Sequence, residues 1–263
     1  FPEYRVFVSG AGGRPVVVPH KGSDFDLDVD GIADALTPAT RAVIINSPNN
    51  PSGRIYSGER LEELSRLLDK KSAEYGERIY IISDEPYREI YYGAKPPFIP
   101  DFYPHTVICN SFSKSLSLPG ERIGYLTIFP RADGAGKIFD AVCGAGRMLG
   151  YVCAPSLMQK VIAKHAGRSC SVSLYRENRN LLCSALLKIG FDFVSPDGAF
   201  YLLVRSPDGR SQDMSDRAKK LGLLIVPGDS FGCPEYARAA FCVSKETIRE
   251  SIPLFSELKK TYE

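Results

Sequence analysis

Three short apolar runs in this chain each end in side chains that could grip a small anionic ligand. The segment SFSKSLSLPGERIGY, residues 111–125, follows the run Thr106 to Cys109 and presents Ser111, Ser113 and Lys114, with Arg122 eight residues beyond the lysine. SDEPYRE follows Ile79 to Ile82 and places Asp84 at the end of that run, with Tyr87 three residues on. INSPNNPSGR follows Ala42 to Ile45; its prolines Pro48 and Pro51 fix a loop that carries Asn46, Asn49 and Asn50. Taken singly, each has an ordinary explanation, because Asn-Pro loops are common turns and an Asp at a strand end often caps a helix.

Read jointly, the three describe one chemistry. A carboxylate with little access to water keeps a neighbouring ring nitrogen protonated, since opposite charge favours the charged form. A phenol and an amide can both bond a phenolate oxygen. A lysine depressed by burial and positive neighbours becomes an imine-forming nucleophile. Two serine hydroxyls and Arg122 offer donors to a phosphate. A pyridinium partner, a phenolate partner, an imine-forming amine and a phosphate clamp together fit pyridoxal 5'-phosphate, the electron sink for carbanions.

The elements that must position these groups are those of a parallel sheet. The runs Val16 to Val18, Ala42 to Ile45, Ile79 to Ile82 and Thr106 to Cys109 are short, rich in Val and Ile and not alternating, the pattern of central strands covered on both faces. Leu61, Leu64 and Leu68 in SGERLEELSRLLDKK recur at helical spacing between two of them, so strand, helix and strand alternate. Ligands in such sheets bind beyond the carboxyl ends of the strands. GAGG at 10–13 reads as a turn between strands. After Tyr125 the pattern changes to helices, a long one ending at Gly190, then short strands in GAFYLLV, LLIVPG and RAAFCVS, and a last helix with Ile248, Ile252, Phe255 and Leu258 on one face. The expected fold class is α/β, a mostly parallel central sheet with helices on both faces over residues 1–173, followed by a smaller α+β domain over 174–263.

Composition excludes several classes. Lys+Arg number 33 against 31 Asp+Glu, so a net charge of +2 gives no electrostatic reason to expect nucleic acid or an acidic membrane. No apolar run reaches membrane-spanning length and no cleavable signal is visible. The seven cysteines form no CxxC pair, and an odd number does not suit a disulfide framework, so they are expected to be small buried hydrophobes in a reducing, cytoplasmic setting. His20, His105 and His165 are scattered without ligand spacing, so no metal site is expected. DGAGKIF fails as a phosphate loop because Arg131 stands where its first glycine should be and Ile138 replaces the metal-binding hydroxyl.

At this point the sequence resembles the class I/II aminotransferases of the pyridoxal-phosphate fold type I group. SFSKSLSLPGERIG matches that family's lysine signature, including the Lys114-to-Arg122 spacing and Gly124; NNPSG and SDEPY match two further signatures in order. PDGAFY (196–201), VPGDSFG (226–232) and ARAAFCVSKETI (237–248) resemble its small-domain landmarks. The resemblance covers essentially the whole chain. It implies Lys114 as the Schiff-base lysine and proton carrier, Asp84 as the pyridine-nitrogen partner, and Tyr87 with Asn50 on the ring hydroxyl oxygen. Ser111, Ser113 and Arg122 would hold the phosphate, and Arg238 would clamp the substrate α-carboxylate. It further implies transfer of an amino group between an α-amino acid and an α-keto acid, and a homodimer.

Two family features have no counterpart here: the glycine-containing turn that wraps the phosphate and the aromatic that stacks on the ring, of which FPEY resembles the following segment. The sequence opens at Phe1 inside what reads as folded chain, so a piece of a longer protein is expected, with weak cofactor retention when isolated. The same framework serves carbon–sulfur β-lyases, and an aminotransferase-like domain also occurs behind winged DNA-binding domains in transcription regulators. The SPNNPSG loop and the intact lysine signature favour the transaminase.

Overall fold

The computed structural model describes all 263 residues. Its first half runs α1 (Glu3–Gly10), α2 (Val29–Ala35), β1 (Ala42–Asn46), α3 (Gly58–Tyr75), β2 (Tyr80–Asp84), α4 (Ile99–Phe102), β3 (Thr106–Ser111), α5 (Phe112–Ser115) and β4 (Gly124–Ile128). These strands make one sheet in the order β1-β2-β3-β4, the first three parallel and β4 antiparallel to β3. Asn46 pairs with Asp84 and Asp84 with Cys109, so the ends of all three parallel strands lie side by side.

Local sequence explains the crossover that creates this alignment. The Ser57 side chain accepts from the Arg60 amide and starts α3; Gly76, at φ 70°, ends it in the left-handed region that only glycine adopts freely. Leu61, Leu64 and Leu68 bury one face of α3 against Ile45 and Ile81 of the sheet and Ile79 just before β2. Each such leucine contributes on the order of 2 kcal/mol by leaving water. Tyr103 is fully buried in the same cluster and its hydroxyl donates to the Ile79 carbonyl at 2.6 Å.

The second half contains α6 (Ala135–Met148), α7 (Ser156–His165), α8 (Val172–Ile189), β5 (Phe193–Val194), β6 (Tyr201–Arg205), α9 (Ser211–Lys220), β7 (Val226–Pro227), β8 (Tyr236–Ala240) and α10 (Lys245–Lys260). Its strands form a separate antiparallel sheet, ordered β5-β6-β8-β7. Leu182 and Leu186 of α8, Met214 of α9 and Phe255 of α10 pack with Leu202 and Phe241 in a cluster of 19 buried residues, the larger core of the molecule. Asn178 ties α8 to the end of β8 by donating to the Phe241 and Val243 carbonyls at 3.1 and 2.8 Å.

Two glycines seat the sheets against each other. The amides of Asp197 and Gly198 donate to the Gly53 carbonyl at 2.9 and 2.8 Å. A Cβ on Gly53 would lie 2.4 Å from Pro196, and one on Gly198 would lie 2.6 Å from the Ile90 carbonyl oxygen. Both motifs therefore need glycine where they meet.

Three sequence expectations are corrected. Val16 to Val18 is not a strand: Val16 and Val17 are each 57% exposed and no neighbouring strand pairs with them, and β-propensity without a partner ladder does not make a strand. GAGG closes a helix rather than linking strands, because the Ala11 and Gly12 amides bond back to Phe7 and Ser9 in α1. The cysteines are not uniformly buried. Only Cys233 is; Cys143, Cys153 and Cys242 are exposed, since the helices around the first two bury no residue.

Candidate active site

The three strand ends meet as the register requires, and hydrogen bonds lock their loops. Asn46, the last residue of β1, donates from Nδ2 to the Asp84 carbonyl at 2.8 Å, while its Oδ1 accepts from the Asn50 amide at 2.8 Å. One side chain thus fixes the NNPSG loop to the end of β2 and directs Asn50 inward, where it is buried. Asn50 Oδ1 accepts from Arg238 Nη1 at 2.9 Å, which leaves its Nδ2 as a free donor. Asn50 lies in the loop after β1 and Arg238 on β8 of the other sheet, so this bond spans the cleft between the two sheets.

Arg238 is held in a built position. Its guanidinium carbon lies 4.4 Å from the Tyr201 ring centre and 4.8 Å from that of Phe231, and its Nε is buried without a hydrogen-bond partner. A cation stacked between two rings with an unpaired buried donor is prepared for an anion. Tyr87 is buried beside it, with its hydroxyl 3.4 Å from that of Tyr201. Burial, reinforced by Tyr201, pushes the Tyr87 phenol well above the usual tyrosine range, so it stays a neutral donor.

Asp84 is half-buried at the end of β2. Burial raises its carboxyl above the ordinary value, while a hydrogen bond from the Tyr4 phenol to Oδ2 pulls it back. Oδ1 accepts no hydrogen bond. Sequence reasoning missed Tyr4, because the contact spans 80 residues and nothing in FPEY points to a strand end. It also missed Glu85, fully buried with its oxygens held by Ser83 at 2.7 Å and Arg88 at 2.9 Å, which anchors the backbone next to Asp84.

Lys114 sits in the single turn of α5, which Ser111 caps by accepting from the Ser113 amide at 3.1 Å. Its Nζ makes no hydrogen bond and lies 5.6 Å from the Phe200 ring centre, so PDGAFY supplies the wall beside it. Ser111 Oγ donates to Ser113 Oγ at 2.8 Å, so the two hydroxyls are held together. With Arg122, Gly124, Cys109 and Tyr125 they line a cavity of about 380 Å³. Gly124 is required there: a Cβ would meet the Asn110 carbonyl oxygen at 2.4 Å. Arg122 is exposed and donates to the Pro119 carbonyl at 2.9 Å, a bond made away from the serines.

Sequence comparison identifies the lineage of this cleft. The family described as aminotransferase class I and II matches residues 1–253. The chain belongs to that family. A probable N-acetyl-LL-diaminopimelate aminotransferase of Bacillus subtilis is 31% identical across 96% of this chain and 64% of its own length. An aspartate aminotransferase of Thermotoga maritima is 34% identical across 92% of this chain and 62% of its own. The chain thus spans less than two thirds of these two relatives. Among solved structures, an amino transferase from Eubacterium rectale superposes with a TM-score of 0.97 at 50% identity, covering 100% of this chain and 66% of that one. The T. maritima aspartate aminotransferase gives 0.86 at 30% identity. These neighbours agree with an α/β fold built on a mostly parallel sheet. No helix is long and apolar enough to cross a membrane.

Proposed function

We propose that this chain supplies most of the polar active-site groups of a pyridoxal-phosphate-dependent aminotransferase, with residues 1–173 as the cofactor-binding unit and 174–263 as the smaller domain. The observation that carries the reading is the bond from Arg238 to Asn50, which joins an anion-ready guanidinium on one sheet to the strand ends of the other. The donor set fits the cofactor. Oδ1 of Asp84 is an unpaired acceptor for a ring N–H, Nδ2 of Asn50 and the Tyr87 phenol are donors for a ring oxygen, and the Ser111 and Ser113 hydroxyls line an open cavity that can admit a phosphate.

When bound, pyridoxal phosphate supplies a sink for the electrons left at an amino acid's α-carbon. The chain's own residues do the rest. Arg238 holds the substrate carboxylate, with Tyr201 and Phe231 excluding water from that ion pair. Lys114 Nζ, free of hydrogen bonds, would hold the cofactor through its carbonyl carbon with loss of water, and as a free amine would carry the proton taken from the α-carbon. Asp84 would hold the ring nitrogen and favour its protonated form. Ser111 and Ser113 orient the phosphate, and Arg122 would join them by giving up its bond to Pro119.

Amino-acid and keto-acid substrates follow from this reading. A homodimer belongs to it as well, supported by the exposed Met148, Leu149, Tyr151 and Leu157 around α6 and α7. So does a cytoplasmic location, supported by seven unpaired cysteines.

Borohydride reduction of the protein with pyridoxal phosphate, followed by peptide mass spectrometry, should place the label on Lys114. Label that persists in Lys114→Ala would overturn the assignment. Amino-donor profiling with a keto-acid acceptor should show turnover that depends on the acceptor. Pyruvate and ammonia released from cystathionine without an acceptor would instead identify a β-lyase.

A further inference from the structure

We propose that Tyr4 is a positioning residue for Asp84: its phenol occupies one carboxylate oxygen and leaves the other as the single acceptor turned toward the cleft. The inference rests on reading Asp84 as the partner of a cationic ring nitrogen, and it adds a residue from a part of the chain that none of the signature motifs covers.

The geometry is specific. Tyr4 Oη donates to Oδ2 of Asp84, and no other side chain donates to that carboxylate. Asn46 fixes only the backbone carbonyl of Asp84, so β1 leaves the rotation of the carboxyl free. Helix α1 buries none of its residues, and its half-buried tyrosine is its tie to the end of β2. The charged and titratable groups facing Asp84 are few. From the N-terminal segment comes Tyr4; from the loop after β2 comes Tyr87; from β3 comes Cys109, whose thiol is pushed by burial to about 12 and stays neutral. Glu85 turns its oxygens away to Ser83 and Arg88. Tyr4 is itself a permanent donor, because burial and the Asp84 charge drive its phenol far above the ordinary range. A partly buried carboxylate that loses its only fixed donor takes up a proton more readily and turns more freely. Either change weakens its grip on a ring N–H.

The sign of the pH dependence follows. Asp84 is raised in the folded chain, so its ionised form opposes folding above that raised value and its protonated form does not. Tyr4 favours the ionised form, so removing it should cost stability at high pH and much less at low pH. The test uses the 263-residue chain, Tyr4→Phe, Asp84→Asn and the double variant. Without cofactor, Tyr4→Phe should lower Tm by about 4 °C at pH 8 and by less than half of that near pH 4. In the Asp84→Asn background the pH-dependent part should vanish. A loss equal at both pH values, or one that persists unchanged in the Asp84→Asn background, would mean that the tyrosine only packs. With pyridoxal phosphate as the probe at pH 8, Tyr4→Phe should weaken binding about tenfold, and should weaken it no further when Asp84 is already Asn. Unchanged affinity would overturn the positioning role. If the unsubstituted chain bound no pyridoxal phosphate, the proposed function would fall, while the melting measurements would still decide whether Tyr4 controls Asp84. Since α1 contributes nothing to a buried core, Tyr4→Phe should fold.

Discussion

The two sheets of this molecule divide stability from chemistry. The antiparallel sheet β5-β6-β8-β7 is closed over by α8, α9 and α10, and its 19-residue core holds the largest set of fully buried side chains. The parallel sheet packs on α3 through a cluster of 10 buried residues, and its site-bearing end carries polar groups instead. Along β4, Tyr125 and Leu126 are 47% and 50% exposed, and α1, α6 and α7 bury no residue at all. A site needs polar atoms whose hydrogen bonds are left open for a ligand, and such atoms cannot also fill a core. Arg238 shows the compromise: it stands on the well-packed sheet, yet reaches across to a loop of the other.

Substitutions can sharpen or break this contrast. The largest effect is expected for Phe255→Ala in α10, which should cost about 3–5 kcal/mol in urea denaturation, because the surrounding core cannot collapse around the lost ring. A loss below about 1 kcal/mol would mean that the C-terminal core is not the stable part. Arg238→Lys should come next. It keeps the charge and loses the planar fork, and should weaken binding of a carboxylate ligand by about 10- to 100-fold with little change in Tm. Unchanged binding would remove Arg238 from the site.

Gly198→Ala tests the seam between the sheets. Its Cβ would lie 2.6 Å from the Ile90 carbonyl oxygen and 2.8 Å from Pro48, so about 1–3 kcal/mol of destabilisation is expected, along with weaker ligand binding as the two halves shift. Full stability in this variant would show that the seam is loose. The smallest effect belongs to Phe139→Ala on α6, where the ring is 60% exposed: a change within about 0.5 kcal/mol in the same urea assay. A large loss there would erase the contrast.

Much of the site was legible because its groups follow strands at once. A strand end has a fixed direction and a fixed neighbour once the sheet is parallel, so the ends of the three short runs could be placed side by side, as the pairing of Asn46, Asp84 and Cys109 shows. Arg238 was legible only through its surrounding motif, since an arginine before a small-residue strand has no local signature. The Val16 to Val18 run was misleading for a related reason, as three β-branched residues cannot show whether a partner strand exists.

The amino-acid sequence alone determined which residues end the parallel strands, where α3 starts and stops, and which polar side chains follow those strand ends. Those properties are local: caps, helical spacing and runs of β-branched residues act within a few positions. Only the tertiary structure decided that Tyr4 would meet Asp84, that Arg238 would lie between Tyr201 and Phe231 and bond Asn50, and that Gly53 and Gly198 would touch. Such contacts join residues up to 188 positions apart. They depend on how two separately packed sheets dock, which no short stretch of chain encodes.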